Sequence, residues 1–175
     1  MPYAVELYFD KESNRPIRNL IKILRKNNIP VDEGSQPHIS LAIYNNKIDE
    51  DFILKKLKRI SGKINKFSIT FSNVGMFLTE KSVLFYSPVV SEKLLSAHSI
   101  LHNNLYKYND LCEDYYKRAN WVPHCTIAID LNKEELLKAI EITADVFIPF
   151  SVNVCGIGLL KFLPNQKIEE YPLKK

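Results

Sequence analysis

Pro37-His38-Ile39-Ser40-Leu41-Ala42-Ile43 is echoed by Pro123-His124-Cys125-Thr126-Ile127-Ala128-Ile129, so the chain carries one short apolar segment twice. Runs this rich in β-branched residues favour strands. Side chains alternate faces along a strand, which puts each His and the hydroxyl residue two positions later on one face. Ile39, Leu41 and Ile43, or Cys125, Ile127 and Ile129, fall on the other. Two such strands brought together place two imidazoles and two hydroxyls around one cleft, the equipment for acid–base chemistry on a phosphate ester.

The duplication runs wider than the His segments. Phe67-Ser68-Ile69 recurs as Phe150-Ser151-Val152, and Val74-Gly75 as Ile157-Gly158. Each half therefore reads His strand, helix, Phe-Ser strand, Gly, strand. Two units make two related lobes; a solenoid needs three or more. No Pro-, Gly- or Ser-rich linker separates them. Residues 1–175 read as a single domain of two intertwined lobes, with the motifs at 37–43 and 123–129. The expected class is α+β: a bilobal, pseudo-symmetric fold of two antiparallel sheets flanked by helices, with a central cleft. Periodicity predicts helices near 14–28, 49–61, 91–109 and 132–144. It predicts strands near 3–9, 37–44, 66–74, 77–87, 121–130 and 147–155, one or two more over 157–173, and a hairpin near Gly75.

Strand parity sorts the neighbours of the motifs. Tyr44 shares the parity of His38 and Ser40; with unbroken alternation it lines the cleft rim and stacks on a base, the alternative being a surface tyrosine at a strand end. Trp121 has the opposite parity to His124 and is expected in the core, and Asp130 is read as a helix N-cap or loop residue. His98 lies on an apolar helical stripe and is read as a core or boundary residue; His102, one turn on, is read as solvated. Their i, i+4 spacing suits a metal, but no acidic residue completes a known pattern, and no metal is expected. Lys117 and Arg118 precede the second motif closely enough to reach an anion. Lys55-Lys56-Leu57-Lys58-Arg59 is spaced as the solvated face of a helix.

A composition 46% hydrophobic and 25% charged is that of a globular chain rather than a disordered one. The net charge of +4 is a mild bias toward anions and does not imply a duplex-binding face. With only 5 glycines, Gly-rich phosphate loops are not the main device. Three cysteines without CxxC spacing argue against a disulfide framework or a thiolate zinc site. The chain begins without a basic and apolar leader and holds no run long enough to span a bilayer, so a soluble, cytoplasmic protein away from membranes is expected.

His38-Ile39-Ser40-Leu41 and His124-Cys125-Thr126-Ile127 together resemble the signature of the two-histidine (2H) phosphoesterase superfamily, which includes the bacterial 2′-5′ RNA ligase-like proteins and 2′,3′-cyclic nucleotide phosphodiesterases. The resemblance covers most of the chain. It implies a bilobal fold with both motifs facing one cleft, and metal-independent, cofactor-free hydrolysis of a 2′,3′-cyclic phosphate or 2′-5′ phosphodiester in RNA or a small nucleotide. His38 and His124 would be the catalytic acid and base, in an order the sequence leaves open. Ser40 and Thr126 would hold the phosphate, and Tyr44 would contact substrate. Two departures bear on the substrate: Ile129 stands where the ligase-like branch often has Arg, and Ile43 where an aromatic is common. The partner expected is a nucleotide or RNA end met by a monomer. Ligation, or nucleotide binding with little catalysis, are the alternatives.

Overall fold

The computed structural model describes residues 2–32, 35–45, 47–162 and 165–175. Two βαβαβ units follow each other along the chain. The first is β1 (Tyr3–Phe9), α1 (Arg15–Lys26), β2 (His38–Tyr44), α2 (Glu50–Ser61) and β3 (Phe67–Phe77). The second is β4 (Ser82–Pro88), α3 (Glu92–Asn104), β5 (Cys125–Leu131), α4 (Lys133–Val146) and β6 (Phe150–Lys161). A last strand, β7 (Gln166–Pro172), follows, and two 3₁₀ turns, Tyr106–Leu111 and Asp114–Tyr116, lie between α3 and β5.

Local chemistry sets the helix starts. Asp49, Ser91 and Asn132 each accept a backbone N–H of the first turn, and Asn132 forms a reciprocal capping box with Glu135. Asn132, not Asp130, therefore caps α4; Asp130 instead adopts a left-handed conformation, φ 59°, near the end of β5.

All strand pairings are antiparallel, in the order β2-β1-β6-β3-β4-β5, with β7 also on β6. The class is α+β, as expected, but the two expected sheets are one continuous seven-stranded sheet, because β6 pairs with both β3 and β1 and so joins the two halves. Its first residues, 150–154, pair with β3; its remainder pairs with β1 and β7. The His strands β2 and β5 are the two ends of this order, yet they lie in contact, so the sheet curls until its ends meet. Helices α1 and α4 pack together beside β4 and β5, while α2 packs on β6 and β7 and against α3.

Several boundaries differ from the sequence reading. Gly75 lies within β3 rather than at a hairpin, and the turn falls at 78–81. Glycine is needed there because the Phe85 ring occupies the space a Cβ would fill. The predicted helix 91–109 gives way after Asn104 to the 3₁₀ turn. The second His strand begins at Cys125, and the strand predicted at 147–155 continues unbroken to Lys161.

Candidate active site

Each motif histidine is held in the same way. His38 Nδ1 lies 2.9 Å from the Gln36 carbonyl, and His124 Nδ1 lies 2.8 Å from the Val122 carbonyl. A carbonyl only accepts, so in both rings Nδ1–H is the donor and Nε2 is the nitrogen turned away from that carbonyl. In each copy the accepting carbonyl belongs to the residue before the motif proline. The fixed φ of Pro37 and of Pro123 sets the direction of the chain between that carbonyl and the ring. That is a local reason for the full Pro-His spacing.

The strands carry matching irregularities. Glu6 pairs with Ser40 and Val5 with Ala42, leaving Leu41 as an extra residue in β2. Phe85 pairs with Thr126 and Leu84 with Ala128, leaving Ile127 extra in β5. A bulge of this kind re-aims the residues after it. Tyr44 is corrected by this: alternation does not persist past Ser40. Tyr44 is fully buried at 0% exposure, its ring meets Tyr108 edge-on at 6.2 Å, and its backbone bridges to Cys112. It cannot stack on a substrate base.

Ser40 and Thr126 occupy equivalent positions. Across the first half the row runs Gly158–Glu6–Ser40, and across the second Gly75–Phe85–Thr126. The two His environments then differ. His38 Nε2 is 3.4 Å from Oε1 of Glu6, which is 1% exposed. His124 lies against a pair of adjacent phenyl rings, 5.0 Å from Phe77 and 5.2 Å from Phe85, which are themselves 4.4 Å apart. Burial holds His124 below the ordinary histidine value; its hydrogen bond to the Val122 carbonyl opposes this, and the charge of His38 adds to it. The two rings are thus near enough to feel one another, and the Cys125 thiol lies against the His38 main chain.

Sequence reasoning missed Glu6 and Tyr8, which share the face of Ser40 and His38, along with Phe77, Phe85 and Lys167. The signal available was one acid inside the apolar strand Tyr3–Phe9. Lys167 Nζ lies 5.3 Å from the centroid of the Tyr8 ring and 2.6 Å from Glu170.

The remaining candidates support β2 rather than line the site. Trp121 is only partly buried; it stacks on His98 at 4.0 Å and donates Nε1–H across to the Ser40 carbonyl at 3.0 Å. His98 is buried and bonds the Tyr116 carbonyl. His102, expected in solvent, is 3% exposed because its ring reaches the Leu41 carbonyl at 3.3 Å. Lys117 pairs with Asp114 and Arg118 binds the Ser99 carbonyl at 3.0 Å, so both are engaged around α3 and the 3₁₀ turns. Among the described residues no group of three or more His, Cys, Asp or Glu is placed to hold a metal, and no helix is long and apolar enough to cross a membrane.

A model of the 2′-5′ RNA ligase superfamily matches residues 13–166. A Bacillus mycoides (strain KBAB4) protein named as a phosphoesterase is 28% identical over 114 residues, 64% of this chain and 62% of that relative's length. Solved structures share the fold across 99% of this chain. TT0787 of Thermus thermophilus superposes with a TM-score of 0.70 at 15% identity over 98% of its length. LigT of E. coli, in its complex with 3′-AMP, superposes with a TM-score of 0.62 at 16% identity over 97% of its length.

Proposed function

This chain belongs to the 2′-5′ RNA ligase superfamily, and from that premise we propose that it is a phosphodiesterase hydrolysing a 2′,3′-cyclic phosphate or 2′-5′ phosphodiester of an RNA end or small nucleotide. The observation carrying the proposal is the twin clamp. Two histidines on opposite ends of one curled sheet each commit Nδ1–H to a backbone carbonyl and keep Nε2 for the reaction.

In hydrolysis one Nε2 takes a proton from water as its oxygen bonds to phosphorus. The bond from phosphorus to the ribose oxygen breaks, and that oxygen takes a proton from the other ring. Attacking and leaving oxygens lie on opposite sides of phosphorus, which suits donors on facing strands. Ser40 and Thr126 donate to the non-bridging oxygens, where charge is held through the transition state. Reversal uses the same groups with their roles exchanged, which is how ligation would proceed. That LigT binds 3′-AMP supports a nucleotide as the substrate class.

A panel of 2′,3′-cyclic mononucleotides and 2′-5′ and 3′-5′ dinucleotides, assayed with and without chelator, tests this. Turnover of the cyclic phosphate or the 2′-5′ linkage, unchanged by chelation, is expected. Loss on chelation overturns the metal-independent mechanism. Calorimetric binding of nucleotides without turnover makes the chain a binding module instead.

A further inference from the structure

Glu6 is a carboxyl on the middle strand of its half, 1% exposed; neither of its oxygens has a partner in good hydrogen-bond geometry among the described residues, and the Tyr8 hydroxyl on the same face favours its ionised form. The only motif ring beside it is His38, whose Nε2 stands 3.4 Å from Oε1. His38 Nδ1–H is already spent on the Gln36 carbonyl. A bare Nε2 lone pair facing a bare carboxylate would set two acceptors against each other beside a buried carboxyl, so the contact favours a proton on one of the two atoms.

We propose that Glu6 is a positioning residue that, with His38, holds one proton at neutral pH, making His38 the group that protonates the leaving ribose oxygen and leaving His124 to take the proton from water. The assignment rests on the phosphodiesterase reading above. The proton passes from the Glu6–His38 pair through Nε2 to the leaving oxygen; the water's proton goes to His124; exchange with solvent resets both. Burial raises the Glu6 carboxyl above the usual carboxylate range, and the His38 charge opposes that rise. The other groups facing Glu6 are few. Tyr8 from its own strand and Lys167 from β7 favour the ionised form, and Asp32 before β2 disfavours it. Tyr116 and Cys125 feel Glu6 from the second half. Against His124 the equivalent strand position holds Phe85, which can neither store nor take a proton.

The decisive comparison uses two leaving groups. Glu6→Gln is expected to lower kcat on a 2′,3′-cyclic phosphate by about tenfold or more with KM little changed, since alkoxide departure needs the proton. On a nitrophenyl phosphodiester, whose phenolate leaves unprotonated, the variant should match wild type. Equal loss on both substrates, or no loss on either, overturns the proposal. Carbon and nitrogen NMR of labelled protein gives a readout independent of turnover. Glu6 Cδ should report the protonation of the carboxyl, with His38 Nε2 responding to it, and His38→Asn should raise the Glu6 transition. A Glu6 signal indifferent to His38→Asn overturns the pairing. That arm keeps Glu6 in place and so survives misfolding of Glu6→Gln. Failure of wild type on every phosphodiester would instead sink the phosphodiesterase reading while the NMR still decides the pairing.

Discussion

The two halves of the molecule share a frame and differ in what fills it. Each has a proline-directed histidine, a hydroxyl two residues on, and a bulge directly after that hydroxyl. Each has a glycine two strands in from the hydroxyl. At the strand position between glycine and hydroxyl the first half holds the Glu6 carboxyl and the second the Phe85 ring. The frame supplies two imidazoles of like orientation; this one position makes them unlike. One histidine faces a buried acid and the other a pair of phenyl rings. Duplication thus builds the geometry, and divergence at its centre gives the two imidazoles the unlike neighbours on which the proposed division into proton donor and proton acceptor rests.

The largest effects come from removing what the halves have in common. His38→Ala and His124→Ala are each expected to lower kcat on the cyclic phosphate by about 10²–10⁴-fold. The double variant should fall little further than the worse single one, because each step needs both rings. Steady-state assays on folded protein decide this; a double variant losing the full product of the two factors would mean that the histidines act independently. Ser40→Ala and Thr126→Ala come next. A hydrogen bond to a charged oxygen contributes about 1.5–3 kcal/mol, or roughly 10–150-fold. Equal losses would show that the phosphate is shared evenly between the halves, and a loss confined to one variant would place it in that half.

Much of this frame can be read from the sequence, because it rests on short-range patterns. The doubled Pro-His-x-Ser/Thr, the Phe-Ser repeat and the apolar stripes give the strands, the helices and their order without any knowledge of contacts. What is illegible comes from pairing between distant strands. Tyr44 is misplaced by parity because a bulge at Leu41 depends on β1 lying alongside. Gly75 reads as a turn, yet it is a strand residue beneath the ring of Phe85, ten positions later. His102 reads as solvated until the fold brings the Leu41 carbonyl to it. Glu6 is visible as an acid in an apolar strand, but only the register against His38 gives it a partner.

The environments themselves can be exchanged by degrees. A general base works in its neutral form, so activity rises with pH through the pKa of that base. Burial keeps His124 below its ordinary 6.5. If His124 is the base, the acidic limb of kcat/KM therefore lies below pH 6.5. Phe77→Ala admits water to one side of the ring and should move that limb upward toward the ordinary value, by less than about one unit. Phe77 is only partly buried, so the cost in stability should fall below the roughly 3–5 kcal/mol of a buried Phe→Ala. A limb that stays in place, or moves down, would mean that the phenyl pair does not set the protonation of the base.

The smallest expected effect tests the tie between the halves. Trp121, in the second half, donates Nε1–H to the carbonyl of Ser40 in the first, and its ring stacks on His98 with an interplanar angle of 13°. Trp121→Phe keeps an aromatic face for His98 and removes the donor. One neutral hydrogen bond contributes about 0.5–1.5 kcal/mol, which for a chain of this size corresponds to a melting temperature lower by roughly 1–6 °C. Trp121→Ala should cost more, since the stacked face goes too. The bond fixes the backbone of Ser40 rather than the proton on either ring, so turnover of Trp121→Phe should drop less than that of Ser40→Ala, with the pH profile unmoved. A drop as large as that of Ser40→Ala would show that the hydroxyl acts chiefly through where this cross-half bond holds its strand. A shifted pH limb would show that the tie also sets the distance between the two histidines, and that the halves are less independent than their separate environments suggest.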